Sequence, residues 1–380
     1  MKSFIKRNAA VIVSAIILIA LLMLPTGYEG AVIYEDRDRC KAEVLEVYND
    51  NVTTIGIVAT GDQTCLVEIM GGHFKGQTAV GYNMLSGSIE SDKLYEVGDE
   101  VFVLVSHKDG EIMQVSMVDH YRLDIELILV ALFFIFLILV AGKTGIRAIL
   151  SFVISILMIW KVLIPNCLNG ANPVVIGFII TAILTVIIIS LVFGYDKMAL
   201  SAIIGSLTGT FVTMIMALVF TDLFNMNGSI LDGSASLIYN GFSSLNLKEL
   251  FIASIFVGSS GAVMDLAVDI TSAVNEVIDK KPDITPIEAI KSGMNVGRAA
   301  MGTMTTTLLL AYSGGYISLL MVFMAQGTPI DNLLNYKYVA CEILDTVVGS
   351  FGLVSVAPLT AICAGLLLTN KQHQNDDIVA

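Results

Sequence analysis

The sequence has few charged residues, few cysteines and few histidines. Charged side chains make up 14% of its 380 residues, whereas 55% are hydrophobic and the mean hydropathy is +0.80. This balance argues against a soluble globular domain and is typical of a multi-pass membrane protein. The five cysteines lack CxxC spacing and the four histidines are dispersed, so no metal site is predicted. Cys40 and Cys65 would pair only in an oxidising compartment; otherwise they are small buried residues.

Motifs of nucleotide and catalytic chemistry are also missing. Gly142-Lys143-Thr144 resembles the end of a nucleotide-binding loop, but no glycine lies five residues before Gly142 and no strand precedes it. No nucleophile, base and orienting group occur at a recognisable spacing, so we predict no catalytic residues, no cofactor and no enzyme activity. Residues 28–122 contain 17 acidic and 7 basic side chains, and this acidity argues against a nucleic-acid partner.

Long apolar runs are what the sequence has in abundance. Lys2, Lys6 and Arg7 precede a run that ends at Pro25, and no small-x-small cleavage site follows it. Residues 1–25 are therefore predicted to be a retained membrane anchor rather than a cleaved signal peptide. Seven more runs follow within a transmembrane domain at 124–370, which gives about eight crossings of the lipid bilayer in all. These runs are Ile125 to Ala141, Ile146 to Ile164, Val174 to Phe193, Ala199 to Phe220, Leu250 to Ile270, Ala299 to Ala325, and Ile343 to Leu368.

Residues 40–120 have a different pattern, with short runs rich in β-formers and turn residues between them. Six strands are predicted within them, and Lys108-Asp109-Gly110 fits a hairpin turn. The six predicted strands are Ala42 to Tyr48, Val52 to Ala59, Cys65 to Met70, Gly76 to Tyr82, Val101 to Ser106, and Glu111 to Val118. The fold class is thus an α-helical polytopic membrane protein with a small all-β, barrel-like domain.

Lysine and arginine in the short loops predict the orientation. With the N-terminus in the cytoplasm, the outside loops hold only Lys161, Lys248 and Lys337, while the other loop cations, including Lys371, lie inside. Both termini are then cytoplasmic and the β domain is extracytoplasmic. A short helix is expected in the outside loop 221–248. Thr285-Pro286-Ile287-Glu288 predicts the start of a short cytoplasmic helix, because threonine caps, proline suits the first turn and glutamate reaches back.

Three ionisable residues lie where charge is expensive. Asp265 and Asp269 fall in one apolar run and project from one helix face, and Arg298 opens the run that returns. Two hypotheses follow. In the first, protonation of Asp265 breaks a pair with Arg298 and lets the helices shift. In the second, a fixed ion pair sets the helix register, and Asp269 lies at the lipid–water boundary.

Other polar residues near these groups have two interpretations each. Asn275, Glu276 and Asn295 would complete a polar network with Arg298. Thr303, Thr305, Thr306 and Thr307 either bond their own backbone or line a path for water or protons. Glu342 and Asp345 are interfacial, or they form an outer gate. Gly205-x-x-x-Gly209 and the small residues Ser254, Gly258 and Gly261 should let helices approach closely.

The segments GAVMDLAVDITSAVNE, SGMNVGRAAMGTMTTTLLLAY and VGSFGLVSVAPLTA resemble the YibE/F-like family of bacterial multi-pass membrane proteins. This family has no firmly established activity. More weakly, the order of outer domain, aspartate-bearing helix and Arg298-x-x-Met301 resembles the protein-export membrane proteins SecD and SecF. That resemblance implies proton coupling with Asp265 as the matching residue. It also implies that one chain is a half-unit, completed by a homodimer or a membrane partner.

Together these features predict a protein of the bacterial cytoplasmic membrane that is transporter-like or assists export. Its substrate is not specified by the sequence. The alternative is a non-transporting scaffold whose outer β domain binds an envelope partner, with the charged residues serving only to hold the bundle together.

Overall fold

The computed structural model describes residues 2–30 and 37–379, with side chains described from 9 to 369 within those ranges. Met1, residues 31–36 and Ala380 lie outside the described residues, as do the side chains of Lys2, Lys6, Arg7 and Lys371 used in the orientation prediction. The chain divides into two compact units, Met1–Tyr28 with Ala141–Ala380, and Glu29–Val140.

A closed barrel fills most of the second unit, and its strand order is β1-β2-β3-β5-β4. Its strands are β1 (Arg37–Ile55), β2 (Val58–Ile69), β3 (Thr78–Ser86), β4 (Glu100–Lys108) and β5 (Glu111–His120). Neighbouring strands are antiparallel except β3 and β5, where Tyr82 lies opposite Ser116 in a parallel pair. The predicted small barrel is confirmed.

The predicted strand count of six is wrong for the described residues, which form five. The first predicted strand and the first half of the second are joined in the 19-residue β1. The chain reverses at Gly56, whose φ of 63° is left-handed, inside the run predicted as the second strand. The turn predicted at Lys108-Asp109-Gly110 is confirmed, with φ of 52° at Asp109 and 85° at Gly110 between antiparallel β4 and β5.

Alternating side chains fill the barrel, as the period of two along a strand requires. One polar side chain, Gln63, is 0% exposed, yet its amide is satisfied: it accepts from Tyr95 N–H and Asn83 and donates to Asn49 and the Tyr95 carbonyl. Cys40 and Cys65 are free and buried. Burial, with a smaller effect of the Asp99 charge, raises the pKa of the Cys65 thiol to about 11, which disfavours the reactive thiolate.

Helices form the rest of the described chain. They are α1 (Lys2–Met23), α2 (Leu123–Ala141), α3 (Lys143–Met158), α4 (Ile164–Leu168), α5 (Pro173–Phe193), α6 (Lys197–Leu223), α7 (Ser234–Tyr239), α8 (Leu247–Lys280), α9 (Pro286–Ser313), α10 (Ile317–Ala325), α11 (Ile330–Asn335) and α12 (Lys337–Val379). Within the described residues, seven helical spans are long and apolar enough to cross a membrane. The eighth predicted crossing corresponds to a shorter apolar helix, Ala9–Met23.

Several helices differ in detail from the sequence prediction. A π-helical turn at Ile159–Leu163 joins α3 to α4, and a 3₁₀ turn at Gly314–Tyr316 separates α9 from α10. The capping box at Thr285 is confirmed, because its side chain accepts from Glu288 N–H while Glu288 accepts from Thr285 N–H. The helix that begins there is not short, however. It continues without a break through 28 residues as α9.

Small residues allow α6, α8 and α12 to pack closely. A Cβ added at Gly205 would lie 2.0 Å from Thr360 Oγ1, and one at Gly209 would lie 2.9 Å from Val263. The packing role predicted for Gly205-x-x-x-Gly209 is therefore confirmed. Helix α8 contacts α5, α6, α9 and α12, which leaves only one narrow side of it uncovered.

Candidate functional site

The uncovered side of α8 is a single polar line of seven residues, which we call the α8 line. Its members recur every three or four residues, so they lie on one face of the helix. Each of them is exposed, whereas most of the α8 residues between them are buried in the bundle. They are Ser254, Gly258, Gly261, Asp265, Asp269, Ser272 and Glu276. The line thus consists of small, hydroxylated and acidic residues without a large apolar side chain.

Asp265 lies near the middle of the 34-residue α8. At a rise of about 1.5 Å per residue, it is about 22 Å from the Lys280 end, and Asp269 is about 16 Å from it. The hydrocarbon core of a bilayer is about 30 Å thick. The two carboxyl groups thus lie one turn apart on the same face, well inside a helix that is long and apolar enough to cross a membrane.

Arg298 lies on the neighbouring helix at a similar level. A Cβ at Gly297 would be 3.1 Å from Ile270 Cδ1, and one at Gly258 would be 3.1 Å from the Tyr312 hydroxyl. These contacts fix the antiparallel register of α8 and α9. Arg298 falls near the level of Asp269, one turn from Asp265.

The predicted Asp–Arg ion pair is not formed in this structure. Among the described residues, no ion pair of 4.0 Å or less joins Arg298 to Asp265 or Asp269. Arg298 is exposed, although it directly follows the buried Gly297 on α9. The structure thus places opposite charges at one depth without joining them.

The polar groups predicted to surround Arg298 have other partners. Asn275 donates to Asp279 at 2.9 Å, and Glu276 forms an ion pair with Lys280 at 2.8 Å, both one turn along α8. Asn295 is exposed on α9. The end of the α8 line nearest Lys280 is therefore organised within α8 rather than around Arg298.

The threonine cluster on α9 is held by its own backbone. Thr303 donates to the Ala300 carbonyl at 3.0 Å, Thr306 to Gly302 at 3.3 Å and Thr307 to Thr303 at 3.0 Å. Thr305 likewise donates to the Met301 carbonyl. Each hydroxyl oxygen keeps lone pairs that can accept a further hydrogen bond. Thr303, Thr306 and Thr307 are exposed on α9.

A second pair of carboxyl groups lies towards the Leu247 end of the line. Within the described residues, Glu342 Oε1 and Asp345 Oδ1 on α12 are buried without a hydrogen-bond partner. Tyr312 is close enough for their charges to act on its hydroxyl, and this hydroxyl lies beside Gly258. Tyr312 could not be singled out from the sequence, because a lone tyrosine near a helix end forms no recognisable pattern.

No group of three or more His, Cys, Asp or Glu side chains in the described ranges is arranged to hold a metal ion. What the arrangement can do chemically is to exchange protons. Asp265 and Asp269 are acids without a cation beside them, on a surface that also carries hydroxyl groups.

Two family models match the chain. The model described as YibE/F-like protein matches residues 129–370, and the model of the YibE/F family N-terminal domain matches residues 33–120. No curated protein and no solved structure matches the chain. The comparisons therefore add no relative of known activity, and the resemblance to SecD and SecF stays a prediction.

Proposed function

The chain belongs to the YibE/F-like family, and from that starting point we propose a transporter-like or export-assisting protein driven by protons through the α8 line. The proposed location is the bacterial cytoplasmic membrane, with both termini in the cytoplasm. One observation carries the proposal. Asp265 and Asp269 lie deep in a membrane-length helix, on its only uncovered side, without a cation in contact.

The energetics favour a change of protonation state over a static role. Insertion experiments assign about 2.5–3.5 kcal/mol to an aspartate at the centre of a membrane helix. A fixed ion pair would offset this cost, but Arg298 is not in contact with either carboxyl group in this structure. A protonated carboxyl group is neutral and is accommodated far more cheaply. The two states of Asp265 therefore favour different surroundings, which is what a proton-coupled movement requires.

The neighbouring groups suggest a direction for the proton. In the proposed orientation, Glu342 and Asp345 lie towards the outside and Tyr312 connects their region with Gly258. Asp265 and Asp269 follow further in, and Ser272 and Glu276 continue the line to the cytoplasmic end. Protons would enter by the outer carboxyl pair and leave past Glu276.

A proton-flux assay tests this function. Purified protein in liposomes that contain a pH-sensitive dye is given an acid pulse outside, and the rate of internal acidification is measured. We expect Asp265→Asn to lower the protein-dependent rate at least tenfold, because the amide keeps the shape but cannot exchange the proton. Asp279→Asn is the matched control, since Asp279 is an exposed aspartate of α8 beyond the line. It should leave the rate within twofold.

The same assay separates the proposal from a scaffold function. If Asp265→Asn carries protons as fast as the unchanged chain and keeps its cellular phenotype, proton coupling through Asp265 is refuted. A loss of thermal stability with no loss of flux would instead favour a scaffold, in which the carboxyl groups only hold the bundle together.

A further inference from the structure

The uncovered faces of the bundle helices are of two kinds. On α5, α6 and α12 they carry large apolar side chains suited to lipid, such as Ile179, Ile215 and Val354, which are 47%, 42% and 52% exposed. Every residue of α8 is described, and none of its large hydrophobic side chains is exposed. The α8 line is therefore unsuited to contact with lipid chains.

Small residues in the line allow a close neighbour, yet the described part of the chain supplies none at its centre. A Cβ added at Gly261 would meet nothing within 4 Å, although the sequence predicts close helix packing there. That prediction is wrong for Gly261 within one chain. In membranes, small residues spaced three or four apart usually mark the place where another helix approaches.

The uncovered face of α9 complements the α8 line in charge and in size. From Arg298 to Thr307 its exposed residues are small or hydroxylated, apart from the Arg298 side chain itself, which has no partner in the described chain. In the α8 line Glu276 is paired with Lys280, whereas Asp265 and Asp269 have no cation beside them in the described chain. One surface thus needs a cation at membrane depth, and the other presents one.

We propose that a second copy of this chain covers the α8 line and that Arg298 of the second copy pairs with Asp265 and Asp269. The contact is reciprocal, because under two-fold symmetry the α8 line of each copy meets the α9 face of the other. The inference rests on the proposed function, since it supplies the cation that the proton site lacks in a single chain. Protonation of Asp265 would then loosen the contact between the copies.

The topology fixes the register of this contact. With both copies in the same orientation, α8 of one copy and α9 of the other run antiparallel. A pair between Asp269 and Arg298 then places Gly261 at the level of Thr306. Gly261 lies about two turns before Asp269 on α8, and Thr306 lies about two turns after Arg298 on α9. Helix α2 is a poor substitute for the second copy, because beyond Glu126 it carries only apolar side chains and no hydrogen-bond donor.

Cysteine cross-linking between two differently tagged chains tests the proposal. One chain carries Gly261→Cys and the other Thr306→Cys; they are expressed together and oxidised in membranes. Neither change should disturb the fold, because Gly261 has open space and Thr306 is exposed. We expect a disulfide-linked dimer with both tags, at least tenfold above a control in which Val354→Cys on α12 replaces Gly261→Cys.

A yield no higher than that of the Val354→Cys control would overturn the proposal. Arg298→Gln, added to the Thr306→Cys chain, should lower the yield at least threefold, whereas Arg298→Lys should retain most of it. Equal yields for both would refute the role of Arg298. The outcome is independent of the flux assay. If the chains cross-link but Asp265→Asn has normal proton flux, the interface is supported and the proton function is refuted. If the chains do not cross-link but Asp265→Asn loses proton flux, only the interface is refuted.

Discussion

Gly352→Ala is expected to destabilise the helical unit, because α12 is in direct contact with α6 at this position. A Cβ at Gly352 would lie 2.0 Å from Thr213 Oγ1 and 3.3 Å from Val263 Cγ2. Thr213 cannot turn away freely, since its hydroxyl donates to the Gly209 carbonyl at 3.1 Å. The added methyl group must therefore displace Thr213 or separate the helices.

The size of the effect follows from three contributions. Overpacking of a close-packed core costs about 1–3 kcal/mol, and loss of the Thr213 hydrogen bond costs about 1 kcal/mol. The better helix propensity of alanine returns about 1 kcal/mol. The net loss in the free energy of unfolding is about 2 kcal/mol, which corresponds to a fall of about 4–8 °C in Tm for a unit of this size.

Thermal unfolding of the purified protein in detergent, followed by intrinsic fluorescence, measures this shift. Gly315→Ala is the control, because a Cβ there meets nothing within 4 Å. The double variant Gly352→Ala with Thr213→Ala should recover most of the Tm, since it removes the hydroxyl that the methyl group strikes. The close α6–α12 contact is refuted if Gly352→Ala has the same Tm as the Gly315→Ala control. It is also refuted if the Tm of the double variant is no higher than that of Gly352→Ala. Val263 borders this contact, two residues from Asp265, so the same packing fixes the direction of the α8 line.

Two further predictions concern local interactions. Thr285→Ala removes the capping box at the start of α9 and should lower the free energy of unfolding by about 1 kcal/mol, measured as a lower Tm. The control Ile287→Ala, at an exposed position of the same turn, should lower it less. Equal losses in the two variants would refute the capping role. In the barrel, the hydrogen bond from His73 at 2.8 Å is the main cause that lowers the pKa of Asp38. A carboxyl group with a lowered pKa stabilises the fold above its unfolded pKa of about 3.9. This contribution is lost as the pH falls through the folded value, so Asp38→Asn should lower Tm more at pH 6 than at pH 3. A Tm difference that is the same at both pH values would contradict this.

Much of the fold could be predicted because local physics decides it. The long apolar runs predict helices, and each run lies within helical segments of the structure. The bounds are predicted less well, because α8 ends at Lys280, α9 begins at Pro286 and α12 ends at Val379, each about ten or more residues beyond the apolar run. The capping box at Thr285 and the hairpin turn at Asp109 are interactions between residues close in sequence, so their residue types suffice. The joining of two predicted strands into β1 was missed because the residues between them, Asn49-Asp50-Asn51, are of types that favour a turn. Its pairing with β2 and β4 chooses the strand.

The sequence by itself placed Asp265, Asp269 and Arg298 at a similar level of two long apolar helices, because hydropathy and chain reversal fix that level without any knowledge of neighbours. Only the tertiary structure decided which way these residues face. Four helices cover α8 on every side except the line that carries both carboxyl groups, and Arg298 is exposed on α9 without an ion pair to either of them. The direction of a side chain around a helix axis depends on which other helices pack against it. Those contacts join residues about 100 apart in sequence, such as Ser259 and Gly349, which no local pattern encodes.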